Sequence, residues 1–155
     1  MTKSANADEA HASYDKAAAL VVLNRILELE LAGVVRYLHY SLMIFGHHRI
    51  PICAWLRAQA NEGMTHAVLA GEHITSLGGH PSLKIGELLE THKHSVDDIL
   101  HEARTHEEQG LAEYRKLLAL VQGDGGSIML EEYTRDQIAA EEQHLAEIGK
   151  MTRRG

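Results

Sequence analysis

The chain is poor in cysteine, proline and aromatic residues. It contains one cysteine, Cys53, two prolines, and only 5% phenylalanine, tryptophan and tyrosine among 155 residues. A single cysteine excludes an internal disulfide framework, so the cytoplasm is the expected compartment. Scarce proline and aromatic residues disfavour a β-sheet protein, because aromatic residues are enriched in strands. The composition therefore favours an all-α fold.

The chain also lacks long apolar runs and an excess of basic residues. No apolar run reaches the roughly 18 residues that a membrane span needs, and the polar residues 1–8 are unlike a signal peptide. The formal net charge is −7, which disfavours nucleic acid and anionic membranes as partners. We therefore expect a soluble intracellular protein.

Apolar residues and histidines are plentiful. Hydrophobic residues make up 45% of the chain, enough for one compact domain with a substantial core. Twelve histidines are unusual at this length, and some of them should have a task that an apolar residue could not perform. The predicted organisation is a loose segment over residues 1–14, one four-helix domain over 15–152, and a tail over 153–155.

Apolar residues recurring at steps of three and four predict four helices. Asp15, Ser95 and Ser127 are suited to cap helix N-termini, and Gly78 follows a helix end. The predicted bounds are, in chain order, Asp15 to about Gly46, Ile52 to about Leu77, Ser95 to the turn at Gly123, and Ile128 to about Met151. The predicted inward stripe of the first helix comprises Leu20, Leu23, Leu27, Val34, Leu38 and Leu42.

The connection between the second and third predicted helices is unusually long. Residues 78–94 contain three glycines and one proline and have a single short apolar patch. Such a length does not suit a hairpin between adjacent helices, so it predicts a crossover that runs along the bundle.

Two of the predicted helices each carry a carboxylate and an imidazole about one turn apart. Glu62 and His66 are four residues apart in the second helix, and Glu141 and His144 are three apart in the fourth. Residues at these spacings lie on one helix face and can present two ligands to a metal ion. The spacing therefore indicates metal ligands from two separate helices.

Two further glutamates, Glu30 and Glu107, fall on the apolar stripes of the first and third helices. Burying an ionised carboxylate costs several kcal/mol unless it is paired or bound to metal. Four carboxylates and two histidines from four helices match the ligand set of a dinuclear iron site in a bundle core. No thiolate belongs to this set, which disfavours a structural zinc site.

Each of these residues also has an ordinary structural explanation. Glu30 alone could be a boundary residue, and His66 alone could be a hydrogen-bonded core histidine. Glu142 is expected in solvent, and the same holds for Glu108, because Glu107 has the better phase with the apolar residues that follow it. The joint pattern is what indicates metal.

At these residues the chain resembles the bacterioferritins of the ferritin-like superfamily. The resemblance covers roughly residues 20–150. It lies in LNRILELEL over 23–31 followed by Tyr37, in Met64-Thr65-His66 followed by LGGHP over 77–81, and in Glu141-Glu142-Gln143-His144.

The resemblance implies a left-handed four-helix bundle with a di-iron centre that oxidises Fe(II), with dioxygen or peroxide as the oxidant. By this analogy Glu30 and Glu107 are terminal ligands, and His66 and His144 each bind one iron. Glu141 would bridge the two ions. Tyr37 would lie close by as a hydrogen-bonding partner. A homo-oligomer, at least a dimer, is also expected.

Two features depart from the family pattern. The family has a glutamate three residues before the second-helix histidine, where this chain has Gly63, and Glu62 lies one residue further back. A one-residue π-bulge near Gly63 would bring Glu62 into line. Without a bulge, His106 or Glu108 is expected to compensate. Only eleven residues follow His144. We therefore expect no fifth helix, and a storage cage is not predicted.

Met64 occupies the position at which bacterioferritins ligate haem between two subunits. Haem is therefore one prediction for this residue, and an apolar residue facing a dimer partner is the other. A Soret band in the purified protein would distinguish them.

The predicted function is ferroxidase activity in iron handling or detoxification. Manganese or zinc could occupy the same side chains, because all three metals accept carboxylate and imidazole ligands. One alternative is a di-iron or iron–manganese oxidase or peroxidase that acts on an organic molecule. Another is a metal-free helical adaptor with a buried hydrogen-bond network.

Overall fold

The computed structural model describes residues 14–153, which form four helices and no β-strand. The all-α prediction is confirmed. Most of the predicted loose segment, residues 1–13, lies outside the described residues, as do residues 154–155 of the predicted tail. The helices are α1 (Lys16–Met43), α2 (Arg49–Ser76), α3 (Val96–Val121) and α4 (Ile128–Thr152).

Three of the four helices begin with the predicted side-chain cap. The side chains of Asp15, Ser95 and Ser127 each accept a hydrogen bond from a backbone N–H in the first turn that follows. These bonds satisfy N–H groups that have no partner inside the helix. α2 begins at Arg49 without a side-chain cap, three residues before the predicted Ile52. Pro51 lies in its first turn, where a missing N–H costs no hydrogen bond.

The crossover between α2 and α3 runs alongside α1 in the same direction as that helix. Ser82 N–H donates to Asn24 Oδ1 over 2.7 Å, and Gly86 N–H donates to the carbonyl of Glu28 over 2.8 Å. A Cβ at Gly86 would lie 2.9 Å from that carbonyl oxygen, so the close approach needs glycine. This path is consistent with the predicted crossover.

α3 therefore starts beside the C-terminal end of α1 and runs antiparallel to it. Tyr40 near the end of α1 donates to Glu102 near the start of α3, over 3.0 Å. Tyr114, late in α3, contacts Glu30, which lies earlier in α1. α1 packs against α2 and α3, and α3 packs against α4. The result is a four-helix bundle with one long crossover.

Two apolar clusters form the core, one toward each end of the bundle. One contains Leu23, Ile74, Tyr114 and Leu130, and the other contains Tyr40, Leu56, Ile99 and Ile148. Burying each such leucine or isoleucine stabilises the fold by about 1.5–3 kcal/mol. Between the two clusters each helix carries a carboxylate or imidazole side chain that is buried or half-buried: Glu30 on α1, His66 on α2, Glu107 on α3 and Glu141 on α4. The bundle centre is therefore a polar layer between two apolar ones.

The predicted inward stripe of α1 is wrong in its last third. Leu38 and Leu42 are 49% and 54% exposed, whereas Tyr37, Tyr40 and Ile44 are buried there. Leucines continue on both sides of α1, so their spacing alone did not decide which side faces the core. None of the described helices is long and apolar enough to cross a membrane.

Candidate metal centre

Two groups of possible metal ligands lie in the polar layer and share one residue. Glu30, His66 and Glu141 form the first group, and Glu107, Glu141 and His144 form the second. Within each group, one nitrogen or oxygen atom per residue lies within 4.8 Å of the others. The fold therefore brings together five of the six predicted ligands, from all four helices.

The two imidazoles turn their Nδ1 atoms toward these carboxylates. Nδ1 of His66 lies 3.5 Å from Glu30 Oε1 and 3.7 Å from Glu141 Oε1. Nδ1 of His144 lies 3.6 Å from Glu107 Oε2. Two ligands bound to one ion at about 2.1 Å each are about 3.0–3.4 Å apart, so a small contraction would seat an ion in each group.

Helix phase decides which glutamate of each adjacent pair enters the centre. Glu107 and Glu141 are buried. Glu108 is exposed and pairs with Arg104 over 3.0 Å, and Glu142 is exposed and pairs with Arg115 over 3.0 Å. The predicted solvent positions of Glu108 and Glu142 are confirmed, and Glu108 does not compensate for Gly63.

The two buried carboxyl groups differ in how readily they ionise. Burial raises the pKa of Glu141, and the neighbouring carboxylates of Glu107 and Glu30 raise it further. Burial also opposes ionisation of Glu107, but hydrogen bonds from His144, Glu141 and Tyr37 outweigh it and lower the pKa. The pair therefore keeps one proton at neutral pH, and a cation can take the place of that proton.

The neighbouring carboxylates also raise the pKa values of the two histidines. Burial lowers the pKa of His66, but the Glu30 carboxylate outweighs this effect, and the net shift is upward. His144 shows the same balance, with Glu107 and Glu62 raising its pKa against burial. Each imidazole therefore gives up a proton less readily than a free one, and it must be deprotonated to bind a metal ion.

Two tyrosines hold the carboxylates contributed by α1 and α3. The Tyr37 hydroxyl donates to Glu107, and the Tyr114 hydroxyl donates to Glu30 Oε1 over 2.7 Å. Burial raises the pKa of both tyrosines, so both stay neutral donors. Tyr114 was not among the residues predicted for the site. A signal was present, because Tyr114 follows Glu107 by seven residues, as Tyr37 follows Glu30.

Glu62 reaches the centre from the opposite side of the imidazoles. Its carboxylate lies 3.2 Å from Nε2 of His144 and 3.8 Å from Nε2 of His66, and its side chain is 40% exposed. α2 is one uninterrupted α-helix, so no π-bulge brings Glu62 to the position of Gly63. A Cβ at Gly63 would lie 3.4 Å from the Glu30 carbonyl oxygen, which shows how closely α1 and α2 pack there.

His106, the other residue predicted to compensate, is buried beside the centre but belongs to neither group of ligands. Its Nδ1 lies 3.5 Å from Arg36 Nη1, and its Nε2 lies 2.7 Å from the place a Cβ would take at Gly33. Burial lowers the pKa of His106 to about 4, with Arg36 adding to the effect and Glu107 opposing it. His106 is therefore a neutral wall of the site.

Little open space remains among these side chains. The cavity lined by Glu30, Tyr37, Glu62, His66, Glu107, Glu141 and His144 offers about 30 Å³ to water-sized molecules. One buried water needs about 10–15 Å³ on this measure, so the space holds about two small species. Met64 is 48% exposed on α2, and its assignment to haem stays a prediction.

Comparison with known proteins gives one family and a set of similar folds. The family model described as the ferritin-like domain matches residues 20–154. A ferritin-like, diiron-carboxylate protein from Bacillus anthracis str. Ames is 23% identical, with a TM-score of 0.84, and the alignment covers 91% of this chain and 99% of that one. A dodecameric thioferritin, a bacterioferritin-related protein from Bacteroides fragilis, is 18% identical with a TM-score of 0.79, covering 88% and 85%. Curated protein sequences gave no significant match.

Proposed function

This chain belongs to the ferritin-like domain family, and on that basis we propose that it binds two iron ions at the bundle centre and oxidises Fe(II). We infer a ferroxidase that contributes to iron handling or detoxification. The observation that carries the proposal is the place of Glu141 in both ligand groups. A carboxylate that belongs to both ligand groups is the arrangement expected for a residue that bridges two ions.

The donor set suits iron. Glu30 and His66 would hold one ion and Glu107 and His144 the other, with Glu141 between them. Carboxylates and imidazoles together suit divalent iron, and the same set also accepts manganese and zinc. The chemistry that iron supplies is one-electron oxidation, in which each Fe(II) substrate gives an electron to dioxygen or peroxide. Hard carboxylate oxygens favour Fe(III) over Fe(II), which gives the reaction its direction.

The remaining residues prepare the site for cations. Tyr37 and Tyr114 fix the carboxylates of Glu107 and Glu30, so that these ligands need little reorganisation. Glu141, His66 and His144 give up protons as cations arrive. The apolar clusters on both sides limit access of water to the layer. Each of these tasks follows from contacts within the described chain.

Glu62 has a different place in this proposal. Its carboxylate faces the Nε2 atoms of both imidazoles, while their Nδ1 atoms face the other carboxylates. A metal-binding histidine commonly donates its second N–H to a carboxylate, which fixes its ring orientation. We therefore assign Glu62 to positioning His66 and His144 rather than to bridging the ions.

The small cavity favours ion oxidation over the alternative of an oxidase acting on an organic molecule. Pockets for drug-sized ligands have volumes of about 300–1,000 Å³. The space at this centre, about 30 Å³ for water-sized molecules, supports two ions with a small oxidant. An organic substrate would require side chains at the centre to move apart.

The exposed apolar residues support an oligomer, at least a dimer. Val35, Leu38, Leu42 and Phe45 are exposed on or just after α1, and Leu83 is exposed in the crossover. Apolar groups in such number are typical of surfaces that bury against a second copy. The similar protein from Bacteroides fragilis is a dodecamer. Sedimentation of the full chain would give the number of subunits.

The proposed ferroxidase activity is tested by mixing the metal-free chain with ferrous iron in air and following the ferric absorbance by stopped flow. Wild type should give a fast ferric phase, which Glu141→Ala should lose. Glu142→Ala is the matched control, because its side chain is exposed and pairs with Arg115. Circular dichroism checks that both variants fold. If Glu141→Ala oxidises iron as fast as Glu142→Ala, the assignment is wrong.

A further inference from the structure

A second cluster of metal-binding side chains lies where the crossover meets α1 and α3. His39 lies in α1, Glu90 lies in the crossover, and His94 directly precedes Ser95, which caps α3. One nitrogen or oxygen atom from each lies within 4.8 Å of the others. None of the three belongs to the bundle centre, so the proposed ferroxidase site does not account for them.

The Glu90 carboxylate lies between the two imidazoles. Oε2 of Glu90 is 2.8 Å from His39 Nε2, and Oε1 is 3.3 Å from His94 Nε2. The two imidazole rings are 5.8 Å apart between centroids. Ligands held by one ion at about 2.1 Å would be about 3.0–3.4 Å apart. The 3.3 Å distance lies in this range and the 2.8 Å distance is slightly below it, so a small shift of Glu90 would seat a shared ion.

The two Nε2 atoms lack a hydrogen-bond partner of their own. Both are shielded from solvent, and within the described part of the chain neither makes a hydrogen bond, although Glu90 is close to both. The carboxylate oxygens therefore lie off the directions in which the imidazole N–H groups would point. Buried polar atoms are nearly always satisfied, so two unsatisfied nitrogens beside one carboxylate suggest a ligand that all three residues share.

The backbone holds this cluster in place. His92 N–H donates to Glu90 Oε1 over 2.6 Å, and His92 has a φ of +56°, which is uncommon for a residue other than glycine. Thr91 Oγ1 donates to Glu102 on α3, and Lys93 N–H donates to Thr91 Oγ1 over 3.3 Å. Strained backbone of this kind concentrates at functional sites. Local bonds thus fix Glu90, the ligand between the two histidines, and the loop around it.

We propose that His39, Glu90 and His94 bind a divalent transition-metal cation, with zinc as the best match, at a site separate from the bundle centre. Two imidazoles and one carboxylate suit Zn²⁺, Co²⁺ and Ni²⁺. The side chains of His39 and Glu90 are 42% and 40% exposed, which leaves room for water to complete the coordination. The bound ion would tie the end of the crossover to α1 and to the start of α3.

The proposal is tested by counting zinc ions bound per full-length chain, by equilibrium dialysis and metal analysis. Wild type should bind one more ion per chain than His39→Gln or His94→Gln. His101→Gln is the matched control, because it removes an exposed histidine of α3, and it should bind as many ions as wild type. Co²⁺ absorbance should show the same difference: both site variants should lose the bands of one ion and keep those of the bundle centre.

Two further measurements keep this result independent of the ferroxidase proposal. Glu90→Gln retains both imidazoles but removes the carboxylate, so it should also bind one ion fewer than wild type. This variant decides between the outcomes if a histidine variant fails to fold. His94→Gln should oxidise Fe(II) as fast as wild type, because the bundle centre is untouched. Equal zinc content in wild type and the folded variants at positions 39, 90 and 94 would overturn the proposal, whatever the rate of iron oxidation.

Discussion

The hydroxyl of Tyr114 donates a 2.7 Å hydrogen bond to Oε1 of Glu30, which joins α3 to α1 at the level of the proposed metal centre. Tyr37 makes the reciprocal bond from α1 to Glu107 on α3. In both helices the tyrosine follows the glutamate by seven residues, and the helices are antiparallel, so the two pairs cross. A tyrosine of α3 therefore holds the Glu30 carboxylate of α1, and a tyrosine of α1 holds the Glu107 carboxylate of α3.

Removing either hydroxyl should weaken metal binding. We expect Tyr114→Phe and Tyr37→Phe to lower Co²⁺ affinity at the bundle centre by about 10- to 100-fold, the usual effect of losing a hydrogen bond to a metal ligand. Titration of the metal-free chain, followed by Co²⁺ absorbance, measures this. Tyr40→Phe is the control, because Tyr40 is also buried but bonds to Arg36 and Glu102. Affinities no lower than that of Tyr40→Phe would contradict the prediction.

Glu62→Ala should separate a positioning role from a ligand role. If Glu62 only orients His66 and His144, the variant should still bind two iron or cobalt ions at the bundle centre. The affinity should fall about 10- to 100-fold. Glu142→Ala, which removes an exposed carboxylate, provides the baseline. Loss of one bound ion in Glu62→Ala alone would show that Glu62 is a ligand, as its spacing to His66 predicted.

Much of the fold was predictable because its signals are local. The caps at Asp15, Ser95 and Ser127 act within one helical turn, and the length of residues 78–94 alone excluded a hairpin. The start of α2 was missed by three residues, because no side chain caps it. The inward face of α1 was missed near Leu38 and Leu42, because apolar residues there continue on both sides of the helix.

The candidate sites were predictable only where helix phase governs them. Phase favoured Glu107 over Glu108, and the structure buries the first and exposes the second. The position of the Glu62 carboxylate depends on the length of its side chain and on how closely α1 and α2 approach each other. The spacing of residues along the sequence predicts neither. The cluster of His39, Glu90 and His94 depends on the path of the crossover. Residues 88–94 are not helical and show no periodicity, so the sequence does not predict which way the Glu90 side chain faces.

Metal affinity at the bundle centre should rise with pH. In the metal-free chain the pKa values of Glu141, His66 and His144 are all raised, so these groups hold protons that a cation must displace. Binding therefore releases protons, and affinity for Co²⁺ should increase steadily from about pH 5.5 to about pH 7.5. Calorimetry in buffers of different ionisation enthalpy gives the number released. The same affinity at both ends of this range would contradict the prediction.

His106 should make the metal-free chain sensitive to acid. Its pKa is about 4 in the folded chain, against an ordinary value of 6.5, because burial disfavours the imidazolium and Arg36 adds to this. Between these two values the unfolded chain binds the proton and the folded chain does not. The free energy of unfolding therefore falls as the pH falls through this window, by at most about 3 kcal/mol from this group.

Replacing His106 with glutamine should remove that part of the acid sensitivity. Urea unfolding with a chelator present, near pH 7 and again near pH 4.5, gives the loss of stability for each protein. The loss should be smaller in His106→Gln than in wild type, by about 2–3 kcal/mol. His101→Gln, on the exposed side of the same helix, should behave as wild type. An equal loss in wild type and His106→Gln would mean that His106 does not bind its proton on unfolding.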